Sequence, residues 1–200
     1  MSMQPQSTQI EAYTQRLEGL ETVWWKKLLP VQAPYRWNLK RLKLGYVLDV
    51  GCGIGRNLKN LDGQGLGVDH NPNSVALCRQ RGLRAMTTEE FLASPEAQPG
   101  RFDSILAAHV LEHLQQADQR ALVRDYLPYL KSGGRLVLIT PQEVGYASDA
   151  SHVQFVTNTE LRALAAELGL VVERDYSFPF PRAVGKLFIY NEFVVVLRKP

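Results

Sequence analysis

Val47-Leu48-Asp49-Val50-Gly51-Cys52-Gly53-Ile54-Gly55-Arg56-Asn57 decides the fold. A short apolar run, strand-like and buried, enters glycines spaced at every second residue and leaves as a helix. Glycine permits the sharp turn and lets a ligand approach the backbone. The helix start offers N–H groups without intrahelical partners. A dinucleotide site wants GxGxxG, with the pyrophosphate on the helix N-terminus. Here Gly55 falls one place early, so the pattern is GxGxG and a nicotinamide-dependent oxidoreductase is disfavoured. Asp49 adds negative charge at the strand end, which suits an amino group better than a phosphate. The P-loop pattern is absent.

Outward from this loop, strands and helices alternate. Gly65 to Asp69 reads as a second strand, ending in an acid able to accept two ribose hydroxyls. Asn73 to Arg81 is a helix, Leu83 to Met86 a third strand, and Thr87 with Glu90 opens a short helix by capping-box spacing. Phe102 to Ala107 and Arg135 to Thr140 are further strands, with a helix from Gln116 to Leu130 between them. A helix from Thr159 to Leu168 precedes two late strands, Val171 to Tyr176 and Glu192 to Arg198, which pair antiparallel at one edge. This is an α/β chain with a mostly parallel sheet. Ahead of it, Ile10, Tyr13, Leu17, Leu20 and Trp24 share one helical face, and a basic helix follows from Tyr35 to Leu42. The expected division is a helical cap over residues 1–44 and a main domain over residues 45–200.

Composition narrows the function. Apolar residues are 45% and charged residues 22% of the 200, ordinary for a globular chain. A formal charge of +3 is too weak to argue for nucleic acid, and no apolar run approaches the roughly 18 residues that span a bilayer. The first nine residues lack a signal-peptide pattern. Cys52 and Cys78 read as reduced thiols, so the expected location is cytoplasmic.

The segment Asp49 to Gly55 resembles motif I of the class I S-adenosylmethionine-dependent methyltransferases. Asp69 matches their ribose-binding acid. Phe102-Asp103-Ser104-Ile105-Leu106 through Leu111-Glu112-His113-Leu114 resembles their fourth-strand motif, and Leu130 to Val137 the turn before their fifth strand. The resemblance implies a Rossmann-like three-layer sandwich on a seven-stranded sheet, mostly parallel with an antiparallel edge strand. It also implies S-adenosylmethionine as cofactor. Asp49, Gly51 and Gly53 would line its methionine portion, Asp69 the ribose and His70 the adenosine. Thr87 stands near the position of the family's adenine acid. Cys52 and Ala108 complete the implied cofactor set, although the Cys52 thiol is assigned no chemistry.

Methyl transfer from a sulfonium is an in-line displacement, so the protein aligns the acceptor and excludes water. A hydroxyl acceptor also needs its proton removed, by a base or by a metal. His109 and His152 are the candidate bases. His109, Glu112 and His113 are spaced i, i+3, i+4 and would share one face of a helix. With His152 they are candidate ligands for a divalent metal, which is not the favoured reading. The set is similar to the ExxEH…H motif of metal-dependent small-RNA 2′-O-methyltransferases and to a related segment in ubiquinone-biosynthesis O-methyltransferases, with His109 in place of the first glutamate. The expected partner is a small-molecule acceptor, with a hydroxyl as the methylated group. The alternatives are a metal-assisted RNA ribose 2′-O-methyltransferase and a non-catalytic scaffold or sensor that binds the same cofactor.

Overall fold

The computed structural model describes residues 32–200. The N-terminal helical face from Ile10 to Trp24 lies outside the described residues. In chain order the elements are α1 (Ala33–Arg41), β1 (Val47–Val50), α2 (Arg56–Asn60), β2 (Gly65–Asp69), α3 (Pro72–Gln80), β3 (Ala85–Thr87) and α4 (Thr88–Leu92). There follow β4 (Phe102–Ala108), α5 (Gln116–Tyr126), β5 (Leu130–Pro141), α6 (Glu143–Ala147), α7 (Asn158–Glu167), β6 (Val171–Phe178) and β7 (Glu192–Arg198). Short 3-10 turns cover Leu111–His113, Leu127–Tyr129 and Arg182–Lys186.

One seven-stranded sheet carries the order β3-β2-β1-β4-β5-β7-β6. Strands β1 to β5 are mutually parallel, and β7 runs antiparallel to both β5 and β6. The expected antiparallel pair is therefore present, with β7 inserted between β5 and the edge strand β6. Every residue of β1 and β2 is buried, as a parallel strand covered on both faces requires.

Side chains alternate between the two faces with the period of a strand. Leu48, Ile105, Leu136 and Val195 pack to one side, with Val123 of α5 and Leu161 and Ala165 of α7. Val47, Leu106, Val137 and Val194 pack to the other, with Leu39 of α1 and with Leu42 and Leu44. The basic helix is thus seated on the sheet through its few apolar residues. Thr87 caps α4 with Glu90 reaching back, as its spacing predicts, and Thr157 with Glu160 does the same for α7. Three sequence expectations shift. Pro128 ends the α5 helix early, at Tyr126, and the chain passes through a 3-10 turn. Strand β5 starts earlier than expected, at Leu130. The loop after it holds α6, which no sequence period announced.

Candidate active site

The carboxyl ends of the parallel strands carry the site, where open α/β sheets place their ligands. Gly51 turns the chain out of β1 at φ +71. A β-carbon there would also lie 2.4 Å from Val110 Cγ2, so the loop closes on the end of β4 only because the residue is glycine. The Gly51 and Cys52 amides donate to the Val68 carbonyl at 2.8 and 3.1 Å. The Gly53 amide donates to Asp69 Oδ2 at 2.7 Å, and the Asn71 amide to Asp69 Oδ1 at 2.9 Å. Asp69 is therefore held rigidly against the loop it faces.

Asp49 is fully buried, and neither carboxylate oxygen makes a hydrogen bond among the described residues. Burial pushes its pKa up to about 7; the nearby Asn57 amide opposes this and the Asp69 charge adds to it. A buried carboxylate without a partner is costly unless a cation or donor meets it. The ammonium group of an amino-acid portion is such a partner. The residues thus fit S-adenosylmethionine: Asp49 for the ammonium, the glycine loop for close backbone approach, and Asp69 for the ribose hydroxyls.

The other implied cofactor residues fall into two groups. Thr87 pairs in register with Asp69, so it flanks the same end of the sheet. Its hydroxyl is occupied, accepting from the Glu90 amide at 3.2 Å. Ala108 ends β4, and His70 beside Asp69 is 85% exposed, open to a ligand. Cys52 lies within the glycine loop. Its sulfur packs under the loop beside Gly67, leaving only its backbone for a cofactor.

The acceptor side is built by the chain after β4. His109 takes φ +58, a left-handed conformation rare outside glycine, and only a three-residue 3-10 turn follows. The helix face expected to gather His109, Glu112 and His113 does not exist. Instead, His109 bridges two carboxylates: Nε2 lies 2.8 Å from Glu192 Oε1 and Nδ1 lies 3.2 Å from Glu112 Oε1. Partial burial lowers the imidazole pKa, but the Glu112 and Glu192 carboxylates outweigh it and raise the value to about 10. At neutral pH His109 is a cation with both nitrogens engaged. The partner that holds it so is Glu192, a β7 residue distant in sequence.

His113 and His152 stand on the other side of Glu112. Their rings are 4.7 Å apart. Nδ1 of His113 faces the Ser151 carbonyl at 3.2 Å, and Nδ1 of His152 faces the Tyr146 carbonyl at 2.7 Å. A carbonyl only accepts, so each Nδ1 carries a proton, and Nε2 is the nitrogen that bears the lone pair whenever the ring is neutral. His152 Nε2 is 4.0 Å from Glu112 Oε1. Glu112, His113 and His152 each offer one ligand atom, all within 4.8 Å of one another. Three of the four expected metal candidates thus meet, and His109 is outside the group. Also unforeseen was Gln142, fully buried, which donates to Ser177 Oγ and the Glu192 carbonyl and so fixes the start of β7.

A strand-ordered sheet with a glycine loop on β1 and fixed acids on β1 and β2 is the architecture of the class I methyltransferases. Residues 25–174 match the family model described as a methyltransferase domain. A ubiquinone biosynthesis O-methyltransferase of Xanthomonas campestris pv. campestris is 31% identical over 163 residues, 70% of this chain and 66% of that protein. Its counterpart in Xanthomonas euvesicatoria is 30% identical over 145 residues, 62% of this chain and 59% of that one. The matched region therefore spans about three-fifths to two-thirds of these relatives. A S-adenosylmethionine-dependent methyltransferase of Archaeoglobus fulgidus superposes with a TM-score of 0.62 at 18% identity, over 82% of this chain and 93% of that one; it shows the shared fold. The chain belongs to the methyltransferase-domain family, within the class I S-adenosylmethionine-dependent methyltransferases. Among the described residues no helix is long and apolar enough to cross a membrane.

Proposed function

We propose that the protein methylates a hydroxyl of a small-molecule acceptor, using S-adenosylmethionine. The observation that carries the donor half is Asp49, a buried carboxylate beside the glycine loop with no hydrogen bond of its own. The relatives named ubiquinone biosynthesis O-methyltransferases support a small hydroxylated acceptor. The bound donor supplies a methyl group on a positively charged sulfur. His152 then takes the acceptor proton at Nε2, its ring held by the Nδ1–H bond to Tyr146. His109 is a positioning residue, its charge holding Glu112 and Glu192 in place. The segment 141–155 covers the acceptor.

The test is transfer of labelled methyl from the donor to a panel of phenols, aliphatic alcohols, amines and carbon nucleophiles. Labelled product with wild type, and at least a hundredfold loss in kcat for His152→Asn with donor binding retained, is the expected result. Labelled product only on amines or carbons would overturn the hydroxyl assignment.

The Glu112, His113 and His152 group favours a second reading, in which a divalent metal at these side chains lowers the pKa of the acceptor hydroxyl. Both histidines donate their second nitrogen to a carbonyl, the arrangement that orients metal-ligating imidazoles. Titration with zinc, manganese and magnesium decides it. Stoichiometric binding lost in His113→Ala supports the metal, and no heat with any of the three removes it.

A further inference from the structure

Two buried thiols lie directly beneath the donor loop and take no part in the chemistry above. Cys52 stands between Gly51 and Gly53, and Cys78 lies on α3. Both are free and buried. Both point at a single atom: Cys78 Sγ lies 3.2 Å and Cys52 Sγ 3.7 Å from the Gly53 carbonyl oxygen. The two thiols are near enough to interact with each other. Packing around them is tight. A β-carbon on Gly67 would meet Cys52 Sγ at 2.6 Å, and one on Gly55 would meet Cys78 Sγ at 3.0 Å. The sulfurs therefore join the loop that approaches the donor to the helix that follows the ribose acid.

We propose that Cys52 and Cys78 are a modification site, an oxidisable dithiol that closes to an intramolecular disulfide and disables the donor loop. The proposal rests on the donor reading of that loop. The oxidant is hydrogen peroxide. One thiolate attacks the peroxide oxygen, the O–O bond breaks, and sulfenic acid and water form. The second thiol attacks the sulfenic sulfur, the S–S bond forms, and a second water leaves. Two S–H bonds are lost, and the peroxide takes up the two electrons and two protons. Closing the sulfurs to the ~2.05 Å of a disulfide removes both thiol donors from the Gly53 carbonyl. It also draws Cys52 off Gly67. Gly53 is the residue whose amide holds Asp69, so the ribose acid loses its fixed position. Bound donor clamps the loop and shields the pair.

The test uses the whole chain in reduced form. Donor affinity is measured by calorimetry, hydrogen peroxide is added, and intact mass, thiol labelling and affinity are read again. The expected result is loss of two hydrogens in mass, a Cys52–Cys78 cross-linked peptide, and donor affinity at least about tenfold weaker, restored by dithiothreitol. Saturating S-adenosylhomocysteine slows the oxidation, and Cys78→Ser keeps its affinity after peroxide. Thiols left intact, or carried to sulfinic acid without a cross-link, overturn the proposal in the wild-type chain alone, whether or not the variant folds. So does a cross-link that leaves affinity unchanged. Reduced wild type without donor binding is a different failure: it removes the donor reading, and with it the claim that the disulfide disables the loop.

Discussion

Asp49 and His109 are side chains at the site whose surroundings set their charge. Asp49 is raised to about 7 from an ordinary 3.8, because burial disfavours the carboxylate. The folded chain keeps this proton where the unfolded chain has lost it. Its contribution to stability is full below 3.8 and disappears as pH rises through about 7. A cationic ligand reverses that preference. Donor affinity should therefore increase between pH 6 and pH 7.5 and release a proton, which calorimetry in buffers of different ionisation enthalpy measures. Asp49→Asn should weaken the donor at least about tenfold, flatten that pH dependence and leave thermal stability equal or higher.

His109 has the same sign and a different cause. Its folded pKa is about 10 against 6.5, set by two carboxylates working against burial. The stabilisation is full below 6.5 and is lost as pH rises through about 10. The side chain is 46% exposed, so water screens the pairs. His109→Gln should cost about 1–2 kcal/mol at pH 7, between the values of exposed and buried pairs, by denaturant titration. The difference from wild type should shrink toward pH 10.5.

Among the elements, α4 is the most dependent on local chemistry. It has five residues, begins on the Thr87–Glu90 capping box and holds Phe91 in the core. Thr87→Ala should cost about 1 kcal/mol in stability, seen as a lower Tm. Because Thr87 sits level with Asp69, donor affinity should fall with it. This element was legible in the sequence, since a capping box acts over three residues. The strand, loop and acid from Val47 to Asp69 were legible for the same reason: glycine spacing and strand burial are local properties. The turn after β4 was not. Its spacing imitates a helix, but the Glu192 contact to His109 and the Ser151 contact to His113 hold the chain in a left-handed turn and a 3-10 turn. Those partners are distant in sequence, so no local period encodes them. The position of β7 between β5 and β6 was unreadable likewise, because strand order depends on long-range pairing.

For the whole molecule, the sheet order explains why residues so far apart in sequence meet. Parallel β1, β2 and β4 deliver Asp49, Asp69 and His109 to the carboxyl end of the sheet, and antiparallel β7 starts at that end and brings Glu192 to His109. Both faces of the sheet are covered, so the site stands on a rigid base. A cavity in that base should act globally. Leu106→Ala, in a fully buried strand position, should cost about 3–5 kcal/mol by denaturant unfolding, and Glu192→Gln at the start of β7 far less.

The most direct measurement is calorimetric titration of the reduced protein with S-adenosylmethionine, repeated with NAD. Saturable one-to-one binding of S-adenosylmethionine, weakened in Asp49→Asn and absent for NAD, is the expected result. No heat with S-adenosylmethionine at protein concentrations where micromolar binding shows, or binding of NAD instead, would contradict the assignment of the glycine loop, Asp49 and Asp69 as a methyl-donor site.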